Sequence, residues 1–359
     1  MAHHTDYYGL WGTLQSLCWH QDAATMENVE FVIAENSVPV STKEGGHREA
    51  ARGLVQNFFK KEHGVHGAHF IEMPPHSGTT QTRQAIFDNA TSDNILVMDC
   101  HVFIKAGAIA KLIRQFTNDK QKAIYSGPMH YDNRTGFETH FEDQWRGGMW
   151  GTWATAWVCD KCGKHLSLTK ENEKAVPITL EMNHKRIDGR CEGCSRKMPN
   201  EVVWHGHEHH FKKAGFLPAG ENDTDQPFET PGMGLGLFAC RKADWPGFVT
   251  GAAGFGAEEL CIHEAMRNEV GGKSICLPWL RWLHRFGRPD GVPYTLLNQS
   301  KVRNYCLWFQ RLGRDFEPIR KHMVEEAVLI SPEDWERCAQ NPISFLDGIP
   351  GRHGEQCST

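Results

Sequence analysis

The stretch Ile95-Leu96-Val97-Met98-Asp99-Cys100-His101 decides how this chain folds. Its four apolar residues are typical of a buried strand, and the strand closes on a carboxylate. Upstream, the apolar pattern predicts helices over 9–19, 47–60 and 79–90 and strands over 29–34 and 68–72. These repeated units predict an α/β fold with a mixed, mainly parallel sheet and flanking helices. Such sheets bind ligands at the carboxyl ends of their strands.

The amino-terminal segment leaves little room for the first strand of this sheet. Only residues 1–5 are available before the first predicted helix, so the strand is expected to be unusually short. Near the other end, 298–312 has the pattern of a closing helix, and 258–266 predicts a helix that opens on two acidic residues. The polar tail over 348–359 is expected to fray.

Composition and hydropathy indicate a globular protein. The chain has 359 residues, 40% of them hydrophobic, which is enough to bury one large core or two modest ones. It contains no run of about 18 uncharged apolar residues, and its first residues lack the features of a signal peptide. We therefore expect a cytoplasmic protein with no membrane contact, and nothing in the sequence indicates an obligate protein partner.

Cysteine spacing predicts a structural zinc module. Of twelve cysteines, four form two Cys-x-x-Cys pairs, Cys159 with Cys162 and Cys191 with Cys194. This spacing lets two thiolates of one turn reach a single tetrahedral ion, and two such pairs complete its coordination without an open position for chemistry. The periodic pattern breaks over the same region, which predicts a Zn²⁺-stapled insertion over 145–215. A redox dithiol is the alternative, although such a motif normally occurs singly at the start of a helix.

Charge is unevenly distributed along the chain. The formal net charge is −5, yet 273–321 holds ten Lys and Arg against three Asp and Glu. Aromatic residues are interleaved with these cations, as in surfaces that bind nucleotides or nucleic acids. A solvated basic face combined with core aromatic residues explains the same pattern equally well.

Asp99 and His101 are the first candidates for a reaction centre. Residues two apart on a strand point to the same side, so the two side chains are expected to converge. A carboxylate and an imidazole suit a borderline ion such as Mn²⁺ better than the all-oxygen site that Mg²⁺ prefers. Such a site would leave coordination positions for a diphosphate.

Three later segments complete a resemblance to a known family. They are the glycine-rich segment over 232–239, the acidic Gly-Phe-Gly-Ala-Glu258-Glu259, and the histidine in Trp-Leu-His284-Arg-Phe. With the strand-ending Asp-x-His, this order resembles the GT-A glycosyltransferases, which have a Rossmann-like fold, in particular the family-2-type enzymes and the polypeptide N-acetylgalactosaminyltransferases. The phrases around Glu259 and His284 most resemble the phage-encoded, TET-associated DNA glycosyltransferases.

The resemblance implies roles for the residues that carry it. Asp99, His101 and His284 would hold Mn²⁺, or Mg²⁺, against the diphosphate of a UDP-sugar donor. Glu259 would be the general base that deprotonates the acceptor hydroxyl, and Glu258 would orient it or hold the acceptor, although the pair could exchange these roles. Acidic residues in the first turn of a helix are also favoured by its dipole, whether or not they react.

The remaining implied contacts surround this centre. Gly234 and Gly236 would let the backbone approach the donor sugar, although a simple turn explains them as well. Three further groups of residues are implied. The base and ribose would be held by Thr5, Asp6, Tyr7 and Glu35; the path to the diphosphate would be lined by His76, Ser77, Gly78 and Arg83; and the acceptor would meet Trp145, Trp150, Trp153, Arg285 and Arg288. The tryptophans could instead be core residues.

The sequence and its resemblance thus predict a hexosyltransferase that inverts the sugar's configuration. The predicted parts are a nucleotide-sugar half over 1–144, the zinc insertion, an acceptor-binding half over 216–330 and an extension over 331–359. The implied acceptor is a 5-hydroxymethylpyrimidine in phage DNA, best 5-hydroxymethylcytosine, modified in the host cytoplasm. A polysaccharide or protein acceptor is the alternative within this class. A sugar nucleotidyltransferase or a non-catalytic zinc-dependent nucleic-acid binder are alternatives from other classes.

Overall fold

The computed structural model describes residues 1–37, 45–59, 67–75, 77–133, 136–163, 165–166, 184–185, 194–196, 202–203, 212–213, 215–287 and 296–346, and these form a mixed α/β fold. The helices are α1 (Tyr7–His20), α2 (Ala23–Met26), α3 (Gly45–Phe58), α4 (Gly78–Asn89), α5 (Ala108–Asn118), α6 (Glu259–Ala265), α7 (Asn298–Arg311), α8 (Glu317–Arg320) and α9 (Pro332–Gln340). Helices α6 and α8 continue into π-helical turns over Met266–Val270 and Lys321–Glu326.

Nineteen strands are described. Those of the amino-terminal half are β1 (Ala2–His3), β2 (Glu30–Glu35), β3 (Gly67–Glu72), β4 (Asn94–Met98), β5 (Val102–Ile104), β6 (Ala123–Ser126), β7 (Met129–Tyr131), β8 (Phe137–Glu138), β9 (His140–Arg146) and β10 (Met149–Ala154). The others are β11 (Trp157–Cys159), β12 (His165–Leu166), β13 (His184–Lys185), β14 (Val202–Val203), β15 (Phe216–Pro218), β16 (Phe228–Glu229), β17 (Leu237–Arg241), β18 (Lys273–Cys276) and β19 (Trp282–His284).

Two sheets meet where the site is formed. One has the parallel order β1-β2-β3, and the other has the order β16-β18-β6-β17-β4. A parallel bridge between Ala2 and Asp99 joins β1 to the end of β4. Strands β1, β2 and β3 are parallel to one another, whereas β17 runs antiparallel to both β4 and β6. The predicted short first strand is thus present, with two residues, and the sheet is mixed.

The predicted elements of the first hundred residues are confirmed. Each of the three helices and the strands β2, β3 and β4 begins within two residues of its predicted start. The apolar strand alternates as its period requires, since Ile95 and Val97 lie in one hydrophobic core while Met98 lies in a second. The sheet therefore has a core on each face, and Asp99 directly follows the end of β4.

A four-stranded sheet brings the later part of the chain to the same edge. Its order is β5-β19-β7-β8, with β19 antiparallel to β5 and parallel to β7. His284 stands opposite Val102 in this pairing, directly after the Asp-x-His segment. Residues almost two hundred positions apart are thereby neighbours.

The hairpin of β9 and β10 crosses the predicted boundary between residues 144 and 145. Its Trp150 is buried in the first core with Phe309 of α7, so this start of the predicted insertion packs as part of the main body. The division of the chain into domains stays a prediction.

Within the described residues, no helix has the length and apolar character needed to cross a bilayer.

Candidate active site

Asp99, His101 and His284 come together at the end of β4. Nε2 of His101 lies 3.2 Å from Nε2 of His284, and one potential ligand atom from each of the three residues lies within 4.8 Å of the others. The strand ends at Met98, and a turn closed by Val102 N donating to Asp99 O carries the chain onward. Asp99 and His101 therefore converge through a turn. This corrects the prediction that they converge as alternate residues of one strand.

This donor set fits a divalent cation. Two imidazole nitrogens that face each other at 3.2 Å, beside a carboxylate, can share one ion between them. Three protein ligands leave further positions open for oxygen atoms of a substrate. Burial raises the pKa of Asp99, but Arg83 and the two histidines outweigh this effect and hold its pKa below the ordinary value. The carboxylate is therefore ionised at neutral pH.

Arg83 of α4 connects this cluster to the acidic pair. Its Nη2 lies 3.1 and 3.3 Å from the two oxygens of Asp99, and its Nη1 lies 3.1 Å from Oε1 of Glu258. The guanidinium is 5% exposed and has two carboxylate partners. The sequence placed Arg83 on the path to a diphosphate, whereas here it holds two side chains of the site together.

Glu258 and Glu259 differ sharply in their surroundings. Glu258 is fully buried at the N-cap position of α6, and Thr79 Oγ1 donates to its Oε1 at 2.5 Å. Glu259 begins the helix and remains partly exposed. Burial and the neighbouring Glu258 raise the pKa of Glu259 to about 8, against the opposing effect of Arg83 and Lys301. Of the pair, Glu259 is the accessible one, and its raised pKa makes it a stronger base than an ordinary glutamate.

The loop before Glu258 is fixed against the start of α4. Thr79 N donates to Gly254 O at 3.0 Å, and Gly78 has a φ of +82°. A Cβ on Gly78 would lie 2.3 Å from Gly254 O, so only glycine fits. Gly78 thus permits a backbone contact that carries Thr79 to Glu258, where the sequence had predicted a diphosphate contact.

The two predicted sugar-facing glycines lie against aromatic rings. A Cβ on Gly234 would approach Trp153 to 2.3 Å, and one on Gly236 would approach the ring of Trp282 to 2.9 Å and His284 Cδ2 to 3.3 Å. Gly236 O also accepts from Asp99 N at 2.9 Å. The space next to both glycines is therefore filled by indoles, which accounts for them without a donor sugar.

We expect Gly236→Ala to weaken metal binding without unfolding the protein. The added methyl group pushes on Trp282 and on the ring of His284, which the cluster needs in its present orientation. Titration with Mn²⁺ followed by the electron paramagnetic resonance signal of free Mn²⁺ measures the change. Gly271→Ala is the control for adding a methyl group, since no atom lies within 4 Å of a Cβ there, although its φ of +70° adds strain. Equal affinity in the Gly236 variant and the native protein would contradict the expectation.

The predicted base-binding and ribose-binding residues take different positions. Asp6 lies beside the metal cluster, with Oδ2 3.1 Å from His101 Nδ1. Glu35 is fully buried, bonded to His3 and accepting from Ser37 N at 2.5 Å. Both of its oxygens are engaged, so Glu35 holds its own loop instead of facing a nucleotide.

The other residues of this group are placed by local contacts. Thr5 N donates to Ser37 Oγ at 2.8 Å, and Tyr7 begins α1. Ser77 Oγ donates to Pro74 O at 2.6 Å, which fixes the turn before α4. His76, which was predicted to line the path to the diphosphate, lies outside the described residues.

The three tryptophans proposed to meet an acceptor are mainly core residues. Trp150 is 4% exposed, donates to Asp143 Oδ1 at 2.6 Å and stacks with Trp145. Trp153 packs on Phe141, and its ring centroid lies 6.3 Å from that of Trp282. Trp153 alone of the three therefore adjoins the strand that carries His284.

The basic stretch over 273–321 is largely engaged within the protein. Arg281 pairs with Asp223 at 2.8 Å, and Arg311 and Arg314 each pair with a glutamate at 2.6 Å. The aromatic residues Tyr305, Trp308 and Phe309 are fully buried. This arrangement favours the core-and-paired-charge interpretation for these residues over a continuous nucleic-acid surface. Arg285 lies by Asp6, with Nη1 to Oδ1 at 3.8 Å, and Arg288 lies outside the described residues.

Three of the four predicted zinc ligands form a group. Cys159, Cys162 and Cys194 offer sulfur atoms within 4.8 Å of one another, and Sγ of Cys159 lies 3.6 Å from Sγ of Cys194. Burial raises the pKa of Cys159, but hydrogen bonds from the backbone and the neighbouring thiols lower it to about 7. Cys191 lies outside the described residues, so the zinc site stays a prediction.

Two site residues escaped the sequence analysis. Thr79 was hidden because it contacts Glu258 through the fold, 179 positions away. Lys301 of α7 faces the acidic pair, and its alkyl chain lies 3.2 Å from where a Cβ of Gly256 would be. Its position in a predicted amphipathic helix gave no signal of its target.

Comparison with solved structures finds distant likenesses. The chain is similar to GalNAc-T7 with UDP, GalNAc and Mn²⁺, at 13% identity over 94% of this chain and 54% of that chain, with a TM-score of 0.49. It is similar to the mannosyltransferase PcManGT from Pyrobaculum calidifontis in complex with GDP-Man and Mn²⁺, at 12% identity over 96% and 72% of the two chains, with a TM-score of 0.46. It is also similar to S. aureus TarS 1-349 in complex with UDP-GlcNAc, at 12% identity over 98% and 80%, with a TM-score of 0.46.

The chain spans about half the length of GalNAc-T7, since 54% of that chain is covered. No protein-family model matches the sequence, and no curated protein matches it. Likenesses of this strength show neither the activity nor the substrate of this chain.

Proposed function

We propose that this protein is a metal-dependent GT-A-type glycosyltransferase that moves a sugar from a nucleoside diphosphate, best UDP, to an acceptor hydroxyl. One observation carries the proposal: a carboxylate-and-two-histidine cluster and an accessible, basic glutamate occupy the same site. The cluster suits a cation that binds a diphosphate, and the glutamate suits deprotonation of a hydroxyl. Arg83 links Asp99 of the cluster to Glu258, the residue next to that glutamate, at 3.1 Å on each side.

The donor side of the site is formed by Asp99, His101 and His284. These three residues would hold Mn²⁺ or Mg²⁺, which when bound supplies Lewis-acid stabilisation of charge on the departing nucleotide. Asp99 is kept anionic by Arg83, and Nε2 of His101 faces Nε2 of His284 at 3.2 Å. The protein would thereby present one carboxylate and two imidazole nitrogens to a diphosphate-bound cation.

Glu259 is the proposed general base. Glu258 is held by Thr79 and Arg83 and is fully buried, so it cannot reach an acceptor without losing these contacts. Its negative charge helps to raise the pKa of Glu259 to about 8, which makes Glu259 a stronger base than an ordinary glutamate. Direct attack by the deprotonated hydroxyl on the anomeric carbon would invert the configuration of the sugar.

The proposed acceptor is 5-hydroxymethylcytosine in DNA. Support comes from the sequence phrases around Glu259 and His284, which resemble phage-encoded DNA glycosyltransferases. A base acceptor has to leave the duplex to reach a recessed sugar. Arg285 lies at the edge of the metal cluster, 3.8 Å from Asp6, and its partly exposed guanidinium is proposed to meet a DNA phosphate. A polysaccharide or protein acceptor is the alternative that the first experiment separates.

The test is incubation with a panel of UDP-sugars and Mn²⁺ in the presence of hydroxymethylcytosine DNA, unmodified DNA or no DNA. Nucleoside mass spectrometry detects a hexose on the base, and chromatography separates UDP from pyrophosphate. We expect UDP release, with a hexose on the modified base alone. Release of UDP without DNA modification would retain the transferase and reject the DNA acceptor. A parallel incubation with UTP and sugar 1-phosphates tests the rival class. Release of pyrophosphate there, with no UDP released from any UDP-sugar, would indicate a nucleotidyltransferase and overturn the proposal.

The pH dependence of kcat/KM follows from the basicity of Glu259. A base acts only when deprotonated, so kcat/KM is expected to rise about tenfold per pH unit below the pKa of Glu259, which is about 8, and to level off above it. Because Lys301 lowers this pKa, Lys301→Met should move the rise to higher pH. Rates measured from pH 6 to 9 at saturating Mn²⁺ test this expectation. A flat profile in the native protein would exclude Glu259 as the base.

A further inference from the structure

Asp6 links the first helix to the metal cluster. It is the N-cap residue of α1, and its Oδ1 accepts from Gly9 N at 2.9 Å. Its other oxygen lies 3.1 Å from Nδ1 of His101, while Nε2 of the same ring faces His284. The carboxylate is only 12% exposed. One side chain thus fixes a helix end and one nitrogen of a candidate metal ligand.

An imidazole that binds a metal through one nitrogen normally donates its other N–H to an acceptor. That second contact selects the tautomer, turns the ring and makes the ligand more basic. Two acceptors lie near Nδ1 of His101, Asp6 at 3.1 Å and the sulfur of Cys100 at 3.7 Å. Cys100 meets hydrogen-bond geometry, whereas the nearer carboxylate of Asp6 forms an ion pair with the ring. The negative charge of Asp6 favours a proton on Nδ1, which leaves Nε2 as the ligand.

The position of Gly9 gives a second, independent indication. A Cβ on Gly9 would lie 2.5 Å from Oδ2 of Asp6 and 2.7 Å from Oδ1. An N-cap interaction alone does not require this close approach, since most residue types occupy the third position of a capped helix. The missing side chain at Gly9 leaves the room in which the carboxylate reaches both the helix end and the histidine.

We propose that Asp6 is a positioning residue for the metal site, which orients His101 through Nδ1, and that Gly9 makes room for it. The inference rests on the proposed metal-binding role of Asp99, His101 and His284. It gives Asp6 a role different from the base and ribose contact expected from the sequence. It also explains how the short first strand and its loop, although they offer few groups for a nucleotide, contribute to the site.

The test measures Mn²⁺ affinity in the absence of any sugar nucleotide, with thermal unfolding recorded for each variant. Asp6→Ser keeps an N-cap oxygen but cannot reach His101, and Gly9→Ala displaces the carboxylate without removing it. Both are expected to lower Mn²⁺ affinity by about 10- to 100-fold. Asp22→Ser is the matched control, since Asp22 caps α2 by accepting from Thr25 N at 2.8 Å and lies on the surface.

The outcomes separate this inference from the proposed function. Unchanged Mn²⁺ affinity in both Asp6→Ser and Gly9→Ala would overturn the positioning role, even if the protein transfers sugar. Reduced affinity in these variants would support it, even if no transfer is found. His284→Ala is the remaining check, because Asp6, Cys100 and His101 also form a group of potential ligands. Retained affinity in that variant would move the ion to this second group and overturn the inference.

Discussion

Glu259→Gln is expected to lower kcat by about 10²- to 10⁴-fold while donor affinity stays near that of the native protein. The amide keeps the size and one acceptor oxygen of the side chain but cannot take up the proton of an acceptor hydroxyl. Glu259 is not one of the three residues that form the metal cluster. Single-turnover rates and donor binding, measured separately, therefore divide the loss between chemistry and binding.

Two neighbouring acidic residues provide controls for this variant. Glu269 follows α6, pairs with Arg311 on the surface and should tolerate replacement by glutamine with an unchanged rate. Glu258→Gln removes a buried charge that raises the pKa of Glu259, so it should shift the pH profile of the rate to lower pH. A Glu259→Gln variant with more than about a tenth of native kcat would remove the base assignment.

The elements of the first hundred residues could be predicted because their signals are local. The strand over Ile95 to Met98 can be recognised from local sequence alone, because a short apolar run ends in the polar Asp99. The meeting of Asp99 with His284 came from a resemblance in motif order, since no local pattern relates residues 185 positions apart. Asp99 and His284 meet because β19 pairs with β5, and no local sequence pattern predicts that pairing.

Burial explains where the interpretation of polar and aromatic residues failed. Glu35 stands at the end of β2, where a ligand contact is expected. Its side chain is instead bonded to His3 of the neighbouring strand β1. Trp150 is of a residue type that often stacks on ligands, but it contacts Phe309 in the core. Local sequence does not tell which of several polar groups will be satisfied internally, because that depends on partners brought by the fold.

Arg83→Met is expected to reduce the free energy of unfolding by about 3–5 kcal/mol, because it leaves the fully buried Glu258 and the half-buried Asp99 without their shared cation. Each of the two carboxylates would lose a contact of 3.1 Å. Denaturant titration at pH 7 measures the effect. Arg52→Met is the matched control, since Arg52 pairs with Glu72 on the surface and its loss should cost less than about 1 kcal/mol.

The pH dependence of this defect identifies its electrostatic origin. In the native protein the pKa of Asp99 is below its ordinary value, so its ion pair stabilises the fold above the unfolded pKa of about 4 and is lost as pH falls through the folded pKa. The deficit of Arg83→Met should therefore be largest near neutral pH and shrink in acid, where the carboxylates are protonated. The double variant Arg83→Met with Glu258→Gln should recover part of the stability, since one unpaired charge is gone. A deficit that is independent of pH and unaffected by the second change would mean that Arg83 acts through packing, and the charge link between the two halves of the site would have to be abandoned.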